Sequence, residues 1–465
     1  MTKISGATMS RREATGRGRP AATVKLDCTT DASRKKPANH VGWLERPIGE
    51  IAEIFDGPHA TPAKTEKGPI FLGISNLSQG RLNLAEAEHI SDVDYVRWTR
   101  RVVPQPGDVL FSYETRLGDA ARVPNGMRCC LGRRMGLLRA RKAEVDERFL
   151  LYAYLGPQFQ ETLRSRTVHG STVDRIPLID MAGFPVVIPT DLEQQRRIAD
   201  ILGTLDDKIE LNRRMSETLE SMARALFKSW FVDFDPVRAK AEGRDLRLNR
   251  AVGDLFPNSF NEGEAGKLPS TWQMVPLYDL ATYINGAAYA AFRPNNERRG
   301  LPVVKIAELK AGVTGQTMYS DVQMPEKYRI DQGDILFSWS GNPDTSIDTF
   351  VWPYRQGWLN QHIFKVVPHT PVERAFVLST LLYLRPVFAE IARNKQTTGL
   401  GHVTVEDMKR LFVARPSDRL IEVWSSVAGP LLERAFHARL EGVQLATIRD
   451  ALLPRLISGE LRTVS

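Results

Sequence analysis

Apolar residues recur along this chain with two rhythms. Between residues 190 and 226, Ile198, Leu202, Leu205 and Ile209, then Leu219, Met222 and Leu226, follow one another at three- and four-residue steps. That spacing predicts one long helix with a narrow apolar stripe, opened by a Thr190 and Glu193 capping box after Pro189. A second stripe of the same kind runs through Val427, Leu431, Ala435, Ala438, Leu445, Ile448 and Leu452. Gly429-Pro430 lies near its start, so the second helix is expected to begin cleanly at Pro430 and to be shorter or kinked. A stripe this narrow calls for a partner helix, and each is the natural partner of the other. About 35 residues at 1.5 Å rise would separate whatever flanks them by roughly 50 Å. Ahead of each stripe the pattern changes to short alternating runs punctuated by Gly and Pro, which predicts strands, with a helix near 146–165 and its counterpart near 371–393.

The second occurrence of each pattern is a copy of the first. Offsetting the chain against itself by 226 to 232 residues aligns Pro47–Gly57 with Pro276–Gly286, and Gly68–Leu77 with Gly300–Leu309. "GDVLFSY" from Gly107 meets "GDILFSW" from Gly333, identical at five of seven positions. Cys130–Ala140 matches Trp358–Pro368 in pattern only, Ile179–Pro189 meets Glu406–Pro416, and Leu219–Phe227 meets Leu445–Leu453. The predicted architecture is therefore globular module, helix, globular module, helix, with a linker over 233–270 rich in charge, Asn and Gly. Two like modules on a paired-helix spacer suit a ligand that repeats with pseudo-twofold symmetry, of which duplex DNA with two half-sites is the prime example. A duplicated scaffold for binding protein fits the same pattern.

Composition narrows the setting. The chain has 465 residues, 42% apolar and 25% charged, the balance of a globular protein of several domains. No run approaches the roughly 18 apolar residues needed to span a bilayer, and no signal-peptide core follows the basic start, so no membrane association and a cytoplasmic location are expected. Cys28 and the adjacent Cys129 and Cys130 form neither a metal knuckle nor a disulfide framework. Net charge is +8, and residues 1–40 hold nine Lys or Arg against three acids, a balance of +6. This Gly, Ser and Thr-rich segment is expected to be a disordered basic tail, either an arm for DNA phosphates or an incidental extension.

Catalytic patterns do not appear. The GxG stretches Gly16–Gly18 and Gly399–Gly401 lack a flanking strand and helix, and there is no phosphate loop, no methyltransferase cofactor motif and no HExxH. Glu308 and Lys310 form an ExK without a suitably placed preceding carboxylate. No His lies close to a Cys at metal-ligand spacing, and His169 and His362 read as hydrogen-bonded structural residues rather than ligands. An enzyme, either a nuclease or a single-chain modification enzyme, would need a site of unfamiliar sequence.

Several ordered motifs resemble one family. "SWFVDFDPVRAK" (Ser229 to Lys240), "LFPNSF" (Leu255 to Phe260) and "GKLPSTWQMVPL" (Gly266 to Leu277) closely resemble the central region of specificity subunits of type I restriction-modification systems. "IRDALLPRLISGEL" (Ile448 to Leu461) is similar to that family's C-terminal signature, and Asp56–Pro62 and Pro104–Gly118 to its first target-recognition domain. The resemblance covers residues 41–465. It implies an α+β chain with two tandem, β-rich target-recognition domains (41–190 and 271–417) separated by helices (191–232 and 418–465) that pair as an antiparallel coiled coil. It further implies a non-catalytic subunit that binds a bipartite double-stranded DNA target. Its partners would be two modification subunits, which bring S-adenosylmethionine and methylate adenine, and restriction subunits, which use ATP and Mg. This chain itself would bind no cofactor and no metal.

Arg and Lys favour guanine edges and phosphates, and Asn and Gln favour adenine. Such residues in loops where the two halves diverge are the candidate DNA contacts. In the first half these are His59, Lys64, Tyr113, Arg116, Arg133, Arg134, Arg166, His169, Ser171 and Thr172. In the second they are Arg298, Arg299, Ser340, Asn342, Asn360, Gln361, His362, Lys395, Gln396, Thr397 and His402. Period-two spacing puts Tyr113 and Trp339 on the same strand face as Phe111 and Phe337, which favours core packing for both.

Overall fold

A computed structural model describes residues 42–462, apart from 59, 79, 85–86, 171–172, 264–265 and 397–399. The basic arm expected over 1–40, and the candidate contacts His59, Ser171, Thr172 and Thr397, lie outside the described residues.

Two forty-residue helices, Leu192–Phe231 and Asp418–Ile457, form the axis. At 1.5 Å per residue each is about 60 Å long. They run antiparallel: Asp206 meets Arg449 at 2.8 Å, Asn212 donates to Glu441 at 3.0 Å and Arg439 pairs with Glu220, so numbers rise on one helix as they fall on the other. The contact line differs from the expected leucine stripe at mid-helix. Asn212, Ser216, Ala435 and Ala438 are fully buried there, whereas Met222 and Ile448 are each 48% exposed. Small side chains let the backbones approach, and a buried Asn with one defined partner fixes register.

Two expectations about the helix ends are corrected. The first helix is capped by Asp191, whose carboxylate accepts from the backbone N–H of Glu193 and Gln194 at 2.9 and 3.3 Å. Thr190 is committed elsewhere, its N–H donating to the Gly42 carbonyl at 2.8 Å, and a carboxylate is the better partner for the positive end of the helix. The second helix does not begin at Pro430. It starts at Asp418, capped by Ser417, and runs through Pro430 unbroken. Ile421, Trp424, Ala428 and Leu432 are buried on either side of that proline. Pro430 itself is exposed, so water can satisfy the carbonyl that loses its N–H partner.

The repeat is structural as well as sequential. In the first module a four-stranded sheet has the order Ala52–Asp56, Met135–Ala140, Val109–Ser112, Ala120–Arg122; the second repeats it with Ala281–Asn285, Ile363–Pro368, Ile335–Ser338, Asp348–Val351. The registers coincide, Met135 opposite Ser112 and Ile363 opposite Ser338. Each module adds a parallel pair, Thr65–Leu72 with Cys129–Leu131 and Leu301–Val304 with Gly357–Leu359. Each is closed by pairing its first strand with its last, Trp43–Pro47 with Pro185–Pro189 and Gln273–Pro276 with Phe412–Arg415. The single helix expected in each half is two. Gly156-Pro157 divides Glu147–Leu155 from Pro157–Arg166, and Pro386 opens the second of Arg374–Tyr383 and Arg385–Asn394, because a proline restricts the residue before it and cannot continue the ladder.

Both cores are completed by both long helices. The first receives Ile198, Ala199 and Leu202 from the start of one helix and Leu456 and Ile457 from the end of the other. The second receives Leu420, Ile421 and Trp424 together with Phe227, Trp230 and Phe231. Trp424 lies 5.1–5.8 Å from all three of these rings, within the favourable range for edge-to-face packing. Within 233–270, expected to be a linker, Val237 and Phe256 join this second core. No single helix among the described residues is long and apolar enough to cross a membrane; a bent pair over 371–394 passes by composition, and it buries Phe376, Leu381 and Phe388 in the second core.

Candidate nucleic-acid interface

The structure brings three separate loops together at one end of each four-stranded sheet. In the first module the central strand Val109–Ser112 continues into Glu114, Thr115 and Arg116. Arg134, from the neighbouring loop, forms an ion pair with Glu114 at 2.9 Å, and its guanidinium lies 3.4 Å from the Thr115 hydroxyl. The third loop joins through the backbone: Thr115 N–H donates to the Asp174 carbonyl at 3.3 Å, Glu114 bridges to Arg175, and Asp174 holds His169 at 3.0 Å. Arg116 pairs with Asp119 at 2.8 Å, and Arg133 is exposed beside Arg134.

The second module gathers the equivalent segments with different chemistry. Ser340–Gly341 pairs with Gly401–His402, and the Trp339 ring lies 5.6 Å from His362 and 5.9 Å from His402. Gln361 Oε1 accepts from the Tyr289 N–H at 2.7 Å, while its amide nitrogen lies 3.4 Å from His362 Nε2. Asn342 is exposed at the start of the diverging loop, and Asn360 is 3% exposed beneath it. Partial burial, and then the neighbouring His402, lower the His362 pKa. His362 is therefore a neutral imidazole at pH 7, both donor and acceptor. The first cluster is built of arginines and carboxylates, the second of amides, imidazoles and a hydroxyl.

Backbone approach explains one residue that both modules share. Gly57 and Gly286 occupy the same place in the repeat. A Cβ on Gly57 would sit 2.6 Å from the Met135 carbonyl oxygen, and one on Gly286 would sit 2.2 Å from that of Asn360. Only glycine lets the first loop lie against the strand that carries the second.

Other expected contacts are engaged within the chain or lie exposed beside it. Tyr113 is 6% exposed, packed in the first core, with burial and the adjoining Asp56 carboxylate raising its hydroxyl pKa. Its ring packs with Phe111 in that core, as the alternation of the two suggests. Lys64 pairs with Glu88, and Lys395 with Asp407. Arg166 lies over the Phe184 ring at 5.9 Å. Arg298 donates to the Thr314 carbonyl at 3.1 Å, and Arg299 pairs with Glu297 and Asp321 at 3.0 and 3.3 Å. Gln396 is exposed after the helix Arg385–Asn394. Glu114 and Thr115 fall in the divergent stretch that follows the repeated strand but are not among the individual residues chosen from sequence, and Asp174 and Arg175 are not singled out at all. Among the described residues no group of His, Cys, Asp and Glu is arranged to hold a metal ion.

The model of the type I restriction modification DNA specificity domain matches residues 40–221 and again 269–418. The chain is 25% identical over 447 residues to the type I restriction enzyme MjaIX specificity subunit of Methanocaldococcus jannaschii, covering 94% of this chain and 95% of that one. It is 26% identical over 338 residues to the HindI specificity subunit of Haemophilus influenzae, covering 62% of this chain and 72% of the relative. The crystal structure of a type I restriction-modification S subunit from M. genitalium has the same fold, with a TM-score of 0.51 at 15% identity over 90% of this chain and 97% of that one. The two family matches fall on the two modules and, together with the paired helices between them, account for most of the chain: it belongs to the type I restriction-modification specificity family, whose members recognise the DNA targets of these systems.

Proposed function

We propose that each loop cluster reads one half of a bipartite DNA sequence, and that the helix pair sets the length of unread DNA between the halves. The observation that carries this reading is the repeat: two modules with one topology and one strand register present the same loops at the same place, and differ chemically there. Target-recognition domains over 41–190 and 271–417, a spacer helix over 191–232 and another over 418–465 divide the chain accordingly. The first cluster suits guanine edges and phosphates through Arg116, Arg133 and Arg134; the second, with Asn342, Gln361 and the two imidazoles, suits adenine edges. Two modification subunits carrying S-adenosylmethionine would methylate adenine at the chosen site, and restriction subunits using ATP and Mg would complete the cleaving complex in the cytoplasm. This chain contributes sequence choice and no chemistry of its own.

The Gln361→Ala and His362→Ala variants, assembled with the modification subunits, are expected to relax one or two positions in one half of the methylated motif. A single base contact supplies about 1–3 kcal/mol of discrimination, a preference of roughly tenfold to a hundredfold. Sequencing that maps methylated adenines across the genome reads the outcome. Unchanged motifs, or equal loss in both halves, would contradict the assignment.

A further inference from the structure

Thr115 lies in the left-handed backbone region at φ 68°, and Arg134 beside it at φ 71°. This region disfavours every residue with a Cβ and disfavours β-branched ones most. The repeat provides an internal control. Strand register places Ser112-Tyr113-Glu114-Thr115 on Ser338-Trp339-Ser340-Gly341, and Gly341 has φ 121°. The fold thus asks for a positive φ after this strand in both modules. The second module meets the demand with glycine, while the first retains a threonine.

Among the described residues nothing accounts for that choice. Thr115 is exposed, so its methyl group fills no cavity. Its backbone bond to Asp174 would form equally well with glycine, and its hydroxyl has one long contact, 3.4 Å to Arg134. Strained backbone beside a diverging loop is where binding sites store pre-organisation. We infer that Thr115 is a specificity-determining residue that presents its hydroxyl and methyl group to a base edge in the major groove, with Arg134 held alongside by Glu114. A threonine can bond either kind of base edge through oxygen and meet a thymine methyl through carbon. The inference rests on the reading of this cluster as a DNA surface.

The test uses the full chain assembled with its modification subunits, compared as wild type, Thr115→Gly, Thr115→Ser and Arg134→Ala. Thr115→Gly removes the strain, so its melting temperature should equal or exceed that of wild type. Its methylation of the native motif should nevertheless fall about tenfold and tolerate substitution at one base pair of one half-site, the size of a single lost base contact. Thr115→Ser, which keeps the hydroxyl, should retain more of the native rate. Native rate and motif in Thr115→Gly would overturn the inference, and so would a loss accompanied by a lower melting temperature, which marks a structural role. If Arg134→Ala is impaired while Thr115→Gly is normal, this inference alone fails. If both are normal, the assignment of the DNA surface fails with it.

Discussion

Four residues added to each long helix, after Asn212 in the first and before Glu441 in the second, are expected to lengthen the unread spacer of the target by about two base pairs and leave both half-sites unchanged. The reason is geometric. Asn212 and Glu441 face each other in the antiparallel pair, so matched insertions there preserve the contacts on both sides. Asp206 keeps Arg449, and Glu220 keeps Arg439. Four helical residues add about 6 Å and one turn plus about 40°. Two base pairs add about 7 Å and roughly 70° of twist, so the distance is nearly matched and the orientation differs by about 30°. An insertion in the first helix alone would put one set of these pairs out of register and is expected to reduce assembly rather than lengthen the spacer. The methylated motif in a host carrying each variant reads the result. A half-site that changes sequence would mean that the helices do more than separate the modules.

Removing Asp206 should have the largest effect on stability. Its carboxylate accepts from Arg81 at 2.9 Å, from the Tyr152 hydroxyl at 2.7 Å and from Arg449 at 2.8 Å, so the first module, its own helix and the partner helix all meet there. Arg449 is 8% exposed and Tyr152 is 3% exposed. Asp206→Ala would leave a buried guanidinium with only Asp450, which pairs with it at 2.7 Å from a largely exposed position, and would leave a buried phenol without a partner. Breaking such a network from one side costs about 3 kcal/mol, a fall in melting temperature of several degrees for modules of this size. The double variant Asp206→Leu with Arg449→Met should recover much of that loss, because a packed apolar pair can replace a buried ionic one. If Asp206→Ala melts with the wild type, the helix pair is not locked to the first module through this residue.

Much of the architecture is legible in the sequence because it is written as periodicity. The two stripes give the helices, and the offset of 226 to 232 residues gives the two modules. What local rules misread is settled by tertiary packing. Pro430 stops no helix because Trp424, Ala428 and Leu432 are already buried around it, and Asp191 rather than Thr190 caps because the strand to Gly42 claims the threonine. The same holds at the interface. Choosing polar residues in diverging loops finds Arg134, Asn342, Gln361, His362 and His402, which the fold gathers, and equally Lys64 and Arg299, which pair with acids on other parts of the modules. Arg134 is ion-paired as well, with Glu114 inside the cluster, and sequence does not reveal which acid a cation will meet. Thr115 lies in the divergent stretch after the repeated strand, but its backbone carries no local mark, since a positive φ is not encoded in a threonine. Only the glycine at its repeat position, Gly341, hints at what the backbone does there.

Exchange of residues 41–190 for the corresponding module of a relative with a different target, followed by mapping of methylated adenines, tests the two-reader account most directly. The account predicts a new motif in which one half has become that of the donor while the other half and the spacer length stay as they were. A motif altered in both halves, or in neither, would contradict it.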